Sequence, residues 1–123
     1  MNRQLRTGID LIEVGRIEKL NPEIRQRFLE RVYTAAELAI CQDRPECLAG
    51  RFSCKEAVAK ALGTGIGEIS WQEIEILADE RHMPVLTLHG KAESIAAALG
   101  LNTWSVSISH IRDQAVAIAV AMD

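Results

Sequence analysis

The stretch 104–122 limits the fold more than any other part of the chain. Trp104, Val106, Ile108 and His110 fall on one side of an alternating run, and Ser105, Ser107 and Ser109 on the other. A period of two is the period of a strand. Ile111-Arg112-Asp113 makes a turn, after which Val116, Ile118 and Val120 share a face of a closing strand over 114–122. A similar run over 71–77 sets Ile74 and Ile76 against Glu73 and Glu75, and the turn 79–83 leads to a strand over 84–88. A first strand over 5–13 carries Ile9, Leu11 and Ile12, with Asp10 among them.

The intervening segments predict helices. Asn21 caps and Pro22 opens one that runs to Val32. Thr34 and Glu37 form a capping box for a second. Pro45 opens a third that Gly63 ends, and 91–99 is a fourth with Gly100 as its stop. The whole is expected to be an α+β fold, a mainly antiparallel sheet packed with helices, in a single domain over 1–123.

Composition narrows the function. The chain has 123 residues, 48% of them hydrophobic, which suits one buried core. A formal net charge of −3 argues against a nucleic-acid binder. Arg16, Lys19, Arg25, Arg27 and Arg31 nonetheless cluster in the first third, which suits an acidic macromolecular partner. Three cysteines, Cys41, Cys47 and Cys54, have no zinc-ligand spacing and are expected to be reduced. The polar start, 1–7, has no apolar leader core, and no run is long enough to cross a bilayer. The expected setting is the cytoplasm, without membrane contact.

The chemistry concentrates in 51–67. Glu56 and Lys60, four apart, share a helix face. The loop Gly63-Thr64-Gly65-Ile66-Gly67 follows the helix and lets backbone approach a ligand. It is not a Walker loop, because it lacks Gly-Lys-Ser/Thr and comes after its helix. A carboxylate, an ammonium and such a loop can hold a metal ion and a phosphate together. Asp10 is either an edge-strand aspartate facing water or a buried carboxylate that must be paired or bound to a cation. His110, at a strand end beside Arg112 and Asp113, is either structural or functional.

Three blocks occur together and in order. They are Gly8-Ile9-Asp10, then Arg51-Phe52 with Lys55-Glu56-Ala57 and Lys60 through Gly67, then Ser107-Ile108-Ser109-His110. In these the chain resembles the holo-acyl-carrier-protein synthases, the small bacterial branch of the 4′-phosphopantetheinyl transferases, along nearly its whole length. The resemblance implies transfer of the phosphopantetheine arm of coenzyme A to a serine of apo acyl carrier protein, releasing adenosine 3′,5′-bisphosphate. It implies Asp10 and Glu56 as magnesium ligands and Lys60 as the group that neutralises phosphate charge. Arg51, Lys55 and the loop with Gly63, Thr64 and Gly65 would line the coenzyme A cleft, and Pro84 and His110 would border the nucleotide. Arg16, Arg27 and Arg31 would match a basic helix that docks the carrier protein. The family's trimeric assembly, with active sites between subunits, is also implied, and Trp104 and Val106 are candidates for the subunit contact. The chain departs from the family pattern at Ile111, where Thr or Ser is common, and at His82-Met83, where Gly-Lys is common. A binding module without turnover and a nucleotide hydrolase are the rival readings.

Overall fold

The computed structural model describes residues 4–123; residues 1–3 of the polar start lie outside it. The chain runs β1 (Leu5–Glu13), α1 (Gly15–Glu18), α2 (Pro22–Val32), α3 (Ala35–Cys41) and α4 (Pro45–Leu62). After a 3₁₀ turn (Trp71–Glu73) come β2 (Ile74–Ala78), β3 (Pro84–Leu88), α5 (Gly90–Leu99), β4 (Thr103–His110) and β5 (Gln114–Met122). One antiparallel sheet has the order β1-β5-β4 and a second pairs β2 with β3. The α+β expectation holds.

The register explains how α4 comes to lie against the larger sheet. Gly8 pairs with Ala119 and Asp10 with Ala117, while Val106 and Ile108 of β4 face the same two alanines. The alternate positions of β5 are Ala115, Ala117, Ala119 and Ala121, each 1% exposed or less. Small side chains on this face leave room for a helix backbone. At Gly8 the approach is closest, for a Cβ there would overlap the carbonyl oxygen of Ala57. The helix that takes this position is buried at eleven of its 18 residues, on more than one side, as a central helix must be.

Two cores result. Ala57, Val58, Ala61 and Leu62 of α4 pack with Ile74, Ile76, Ala92 and the alanines of β5. Ile17, Leu29, Val32, Tyr33 and Leu48 fill a second core beneath α1 to α3. Full burial of each large aliphatic side chain contributes about 1.5–3 kcal/mol. Glu37 joins the parts: it caps α3 through Thr34, accepts the Ile76 N–H at 2.8 Å and pairs with Lys55 at 2.9 Å.

Several expectations are corrected. The strand expected over 71–77 begins at Ile74, because Ser70 and Glu73 close a capping box that winds 71–73 into a 3₁₀ turn. The single helical turn α1 is too short to leave a periodic trace in the sequence. Cys41 and Cys47 are joined in a disulfide, not reduced, because the α3–α4 turn brings their Cα atoms to 5.3 Å. Only Cys54 is free; it is buried, and desolvation pushes its thiol up to about 12. Trp104 and Val106 pack on the core side of the sheet, not on its outer face. That outer face carries Leu5, Ile9, Leu11, Ile118 and Met122, all exposed.

Candidate active site

Asp10 leaves the edge strand β1 on the face that α4 covers, so its carboxylate meets the helix. Ser53 Oγ lies 3.0 Å from the Asp10 carbonyl oxygen and 3.1 Å from its Oδ2. Lys60 Nζ donates to the Ile9 carbonyl at 2.8 Å and pairs with Asp10 Oδ1 at 3.3 Å. The Asp10 side chain is 18% exposed and that of Lys60 53%, so the ammonium opens to solvent while the carboxylate is sheltered. Of the two alternatives for Asp10 the paired one applies: it stands on an edge strand, but its carboxylate faces α4 and not water.

Glu56 lies between Ser53 and Lys60 on this helix face. Burial raises its carboxyl above the ordinary range, the Asp10 carboxylate raises it further, and Lys60 partly offsets both. Two carboxylates that repel each other, with one half-exposed ammonium beside them, suit a hard divalent cation. Among the described residues no cluster of three or more Asp, Glu, His or Cys forms a metal site. An ion held here would take two protein oxygens and complete its shell from water and substrate.

The glycine loop continues from Lys60. Gly63, at φ +78°, ends α4 in the left-handed conformation, and the amides of Gly63 and Thr64 bond back to the Lys60 and Ala59 carbonyls. Those two amides are thus used by the helix cap. The Thr64 hydroxyl oxygen is covered and, among the described residues, has no hydrogen-bond partner.

Arg51, Pro84 and His110 meet elsewhere, around a cavity of about 370 Å³ that Arg44, Cys47, His82 and Ile108 also line. The Arg51 Nε–H donates to the Ile76 carbonyl at 3.2 Å. Burial lowers the Arg51 pKa, and the Glu37 carboxylate works against that shift. Lys55 does not join them. Its side chain is fully buried, paired with Glu37 and donating to the Trp71 and Ile74 carbonyls. The expected cleft-lining role of Lys55 is corrected to an interior one, because all its donors are spent within the fold.

The helix α4 separates the two groups. Ser53, Glu56 and Lys60 point to one side and Cys47, Gly50 and Arg51 to another, about 140° away at 100° per residue. Of the expected docking arginines, Arg27 and Arg31 lie on α2 but Arg16 lies on α1, so two helices carry them. All three are exposed and, among the described residues, none is in an ion pair, whereas Arg25 is tied to Asp43 at 2.7 Å.

Ser53 and Arg44 were not singled out from the sequence. Ser53 was detectable, since it lies three residues before Glu56 and seven before Lys60, on one helical stripe. Arg44 had no such signal, because a turn rather than a helix aims it.

Comparison with known proteins agrees with this geometry. The sequence profile of the 4′-phosphopantetheinyl transferase superfamily matches residues 6–121. The holo-[acyl-carrier-protein] synthase of Herpetosiphon aurantiacus is 46% identical, covering 94% of this chain and 97% of its own length. That of Solidesulfovibrio magneticus is 48% identical, over 92% and 94%. The crystal structure of Helicobacter pylori holo-[acyl-carrier-protein] synthase in complex with coenzyme A superposes with a TM-score of 0.84 at 34% identity, covering 94% of this chain and 98% of that one. A Bacillus anthracis holo-(acyl-carrier-protein) synthase in complex with CoA (3′,5′-ADP) gives 0.77 at 35% identity, covering 96% of each chain. With a matching profile over nearly all its length, and relatives this similar along theirs, the chain belongs to the 4′-phosphopantetheinyl transferase superfamily.

Proposed function

We infer that this chain is a holo-acyl-carrier-protein synthase. It transfers the 4′-phosphopantetheine arm of coenzyme A to a serine of apo acyl carrier protein and releases adenosine 3′,5′-bisphosphate. The observation that carries this is the meeting of Asp10, from β1, with Ser53 and Lys60 of α4, beside a Glu56 whose acidity Asp10 alters. Asp10 and Glu56 would hold magnesium. When bound, the ion supplies charge neutralisation and alignment for the pyrophosphate.

The chain's own groups do the rest. Lys60 offers a solvent-facing positive charge to the phosphate oxygens. Ser53 fixes the Asp10 carboxylate, and the covered Thr64 hydroxyl is left to donate to a ligand oxygen. The proton of the attacking serine passes to Glu56 or to a water at the site. That serine oxygen forms a bond to the pantetheine-side phosphorus as the bridging P–O bond breaks. Arg51, Pro84 and His110, with Gly63 and Gly65 at the loop, line the course of the nucleotide. Arg16, Arg27 and Arg31 dock the acidic carrier protein, with steering that weakens as salt rises.

The position of α4 favours a shared site. A coenzyme A that reaches both the Asp10 cluster and the Arg51 cavity is most simply held by two subunits. The exposed apolar face of β1 and β5 supplies the contact, in a homotrimer. The setting is the cytoplasm; no helix among the described residues is long and apolar enough to cross a membrane.

The test is mass spectrometry of apo carrier protein incubated with coenzyme A and enzyme, with and without Mg²⁺. The carrier gains the mass of the arm only with the metal. Glu56→Gln and Asp10→Asn each slow the gain at least ~100-fold, the scale of losing a key electrostatic group. No gain on any carrier protein, or full rates in both variants, overturns the reading.

A further inference from the structure

The cavity wall formed by α3 and the start of α4 contains the Cys41–Cys47 pair. Cys41 is fully buried in the second core. Cys47 is half-buried and lines the cavity next to Arg44 and Arg51. Between them the chain makes a tight turn through two non-glycine residues in the left-handed region, Gln42 at φ 47° and Asp43 at φ 65°. Such conformations persist only where the surroundings impose them. The turn delivers Arg44, whose guanidinium folds back to donate to the Cys41 and Ile40 carbonyls at 3.0 Å each. On the other side, Arg51 Nη1 reaches the Cys47 sulfur at 3.4 Å.

In the bridged state the sulfur is neutral and a weak acceptor, so Arg51 remains available to an anion. With the bridge open, Cys47 is a thiol beside the Arg51 guanidinium, which favours its thiolate. A thiolate there competes with a phosphate for Arg51, and the turn that aims Arg44 loses its cross-link. Both consequences weaken the cavity's hold on an anionic nucleotide.

We propose that Cys41 and Cys47 form a reversible oxidation site, and that the bridged form binds the nucleotide portion of coenzyme A more tightly than the dithiol form. The proposal rests on the assignment of this cavity to the nucleotide. The oxidant is a low-molecular-weight disulfide. The Cys47 thiolate attacks one of its sulfurs, forming a mixed disulfide and releasing one thiolate. The Cys41 thiol then attacks the Cys47 sulfur and expels the second half as a thiolate, and its proton passes to that thiolate or to solvent. Two protein thiols are oxidised and one disulfide is reduced to two thiols.

The experiment measures binding of adenosine 3′,5′-bisphosphate, which carries no thiol, by calorimetry. The protein is equilibrated with oxidised or with reduced glutathione, and peptide mapping reports the bridge. We expect about 5- to 10-fold tighter binding in the bridged form, the scale of one typical hydrogen bond. Cys47→Ser keeps only the fully buried Cys41 at this turn and shows no redox response, whereas Cys54→Ala keeps the full redox response. Failure of the bridge to form, or equal affinity of bridged and dithiol protein, overturns the proposal and leaves the cavity assignment intact. Absence of bisphosphate binding in either state overturns the cavity assignment, and the proposal with it.

Discussion

At the scale of single residues, the site depends on two carboxylates held closer than either prefers. Glu56 has a raised pKa because it is partly buried and faces Asp10. Its contribution to stability is therefore present below the ordinary carboxylate range, near 4.5, and is lost as pH rises through its folded-state value. At neutral pH without divalent ions the ionised pair works against the fold. Glu56→Gln should then raise the melting temperature of metal-free protein at pH 7 but not at pH 4, while removing transfer. In carboxyl-resolved NMR titration of the metal-free protein, the Glu56 midpoint should lie above 4.5 and fall in Asp10→Asn. A midpoint at or below 4.5 in the unsubstituted protein would contradict the crowding. The sequence displayed these residues well, because Glu56 and Lys60 share a helical spacing and Asp10 interrupts an apolar strand. It did not display the fate of Lys55, whose neighbours in the chain are themselves functional. Only the fold reveals that Glu37, far along the chain, claims its ammonium.

Between elements, two contacts decide the geometry. The first is the seat of α4 on β1 and β5. Gly8→Ala would drive a methyl group into the Ala57 carbonyl, backbone against backbone, with no flexible atom to yield. We expect a loss of about 3 kcal/mol or more in denaturant unfolding, beyond ordinary overpacking. Unchanged stability would show that α4 can ride higher on the sheet than described. The second is the Lys55–Glu37 pair, which ties α4 to α3 and, through Ile76, to β2. Lys55→Met leaves a buried carboxylate without its cation and should cost roughly 3–5 kcal/mol. Undiminished stability with lost coenzyme A affinity would instead return Lys55 to the cleft. The strands and longer helices were legible from period and capping residues alone. Their packing order was not, because an alanine stripe looks like weak hydrophobicity until a helix is set against it. The 3₁₀ turn at 71–73 hid for a different reason: Trp71 is a good strand former just before an alternating run, and only the Ser70–Glu73 box sets it apart.

For the whole molecule, the residues that the sequence offers for a subunit contact lie on the covered face of the sheet. Trp104 and Val106 form the apolar side of an alternating strand, the side expected to be buried against neighbours. Yet it is the serine side, together with Ile9, Leu11 and Ile118 of the neighbouring strands, that faces outward. Which face of a strand is covered depends on where the helix lies, and a periodicity of two cannot say. The placement of α4 between the Asp10 cluster and the Arg51 cavity also makes a prediction about mixtures. A variant disabled only in its carboxylates, such as Asp10→Ala, and one disabled only in its cavity, such as Arg51→Ala, would each be inert alone. Unfolded together and refolded as mixed assemblies, they should regain about a quarter of normal turnover, since random pairing unites an intact half from each at one junction in four. Turnover that stays absent in the mixture would mean that each chain works alone. Two broken copies of this small protein would then repair one another, a genetic complementation within a single gene product.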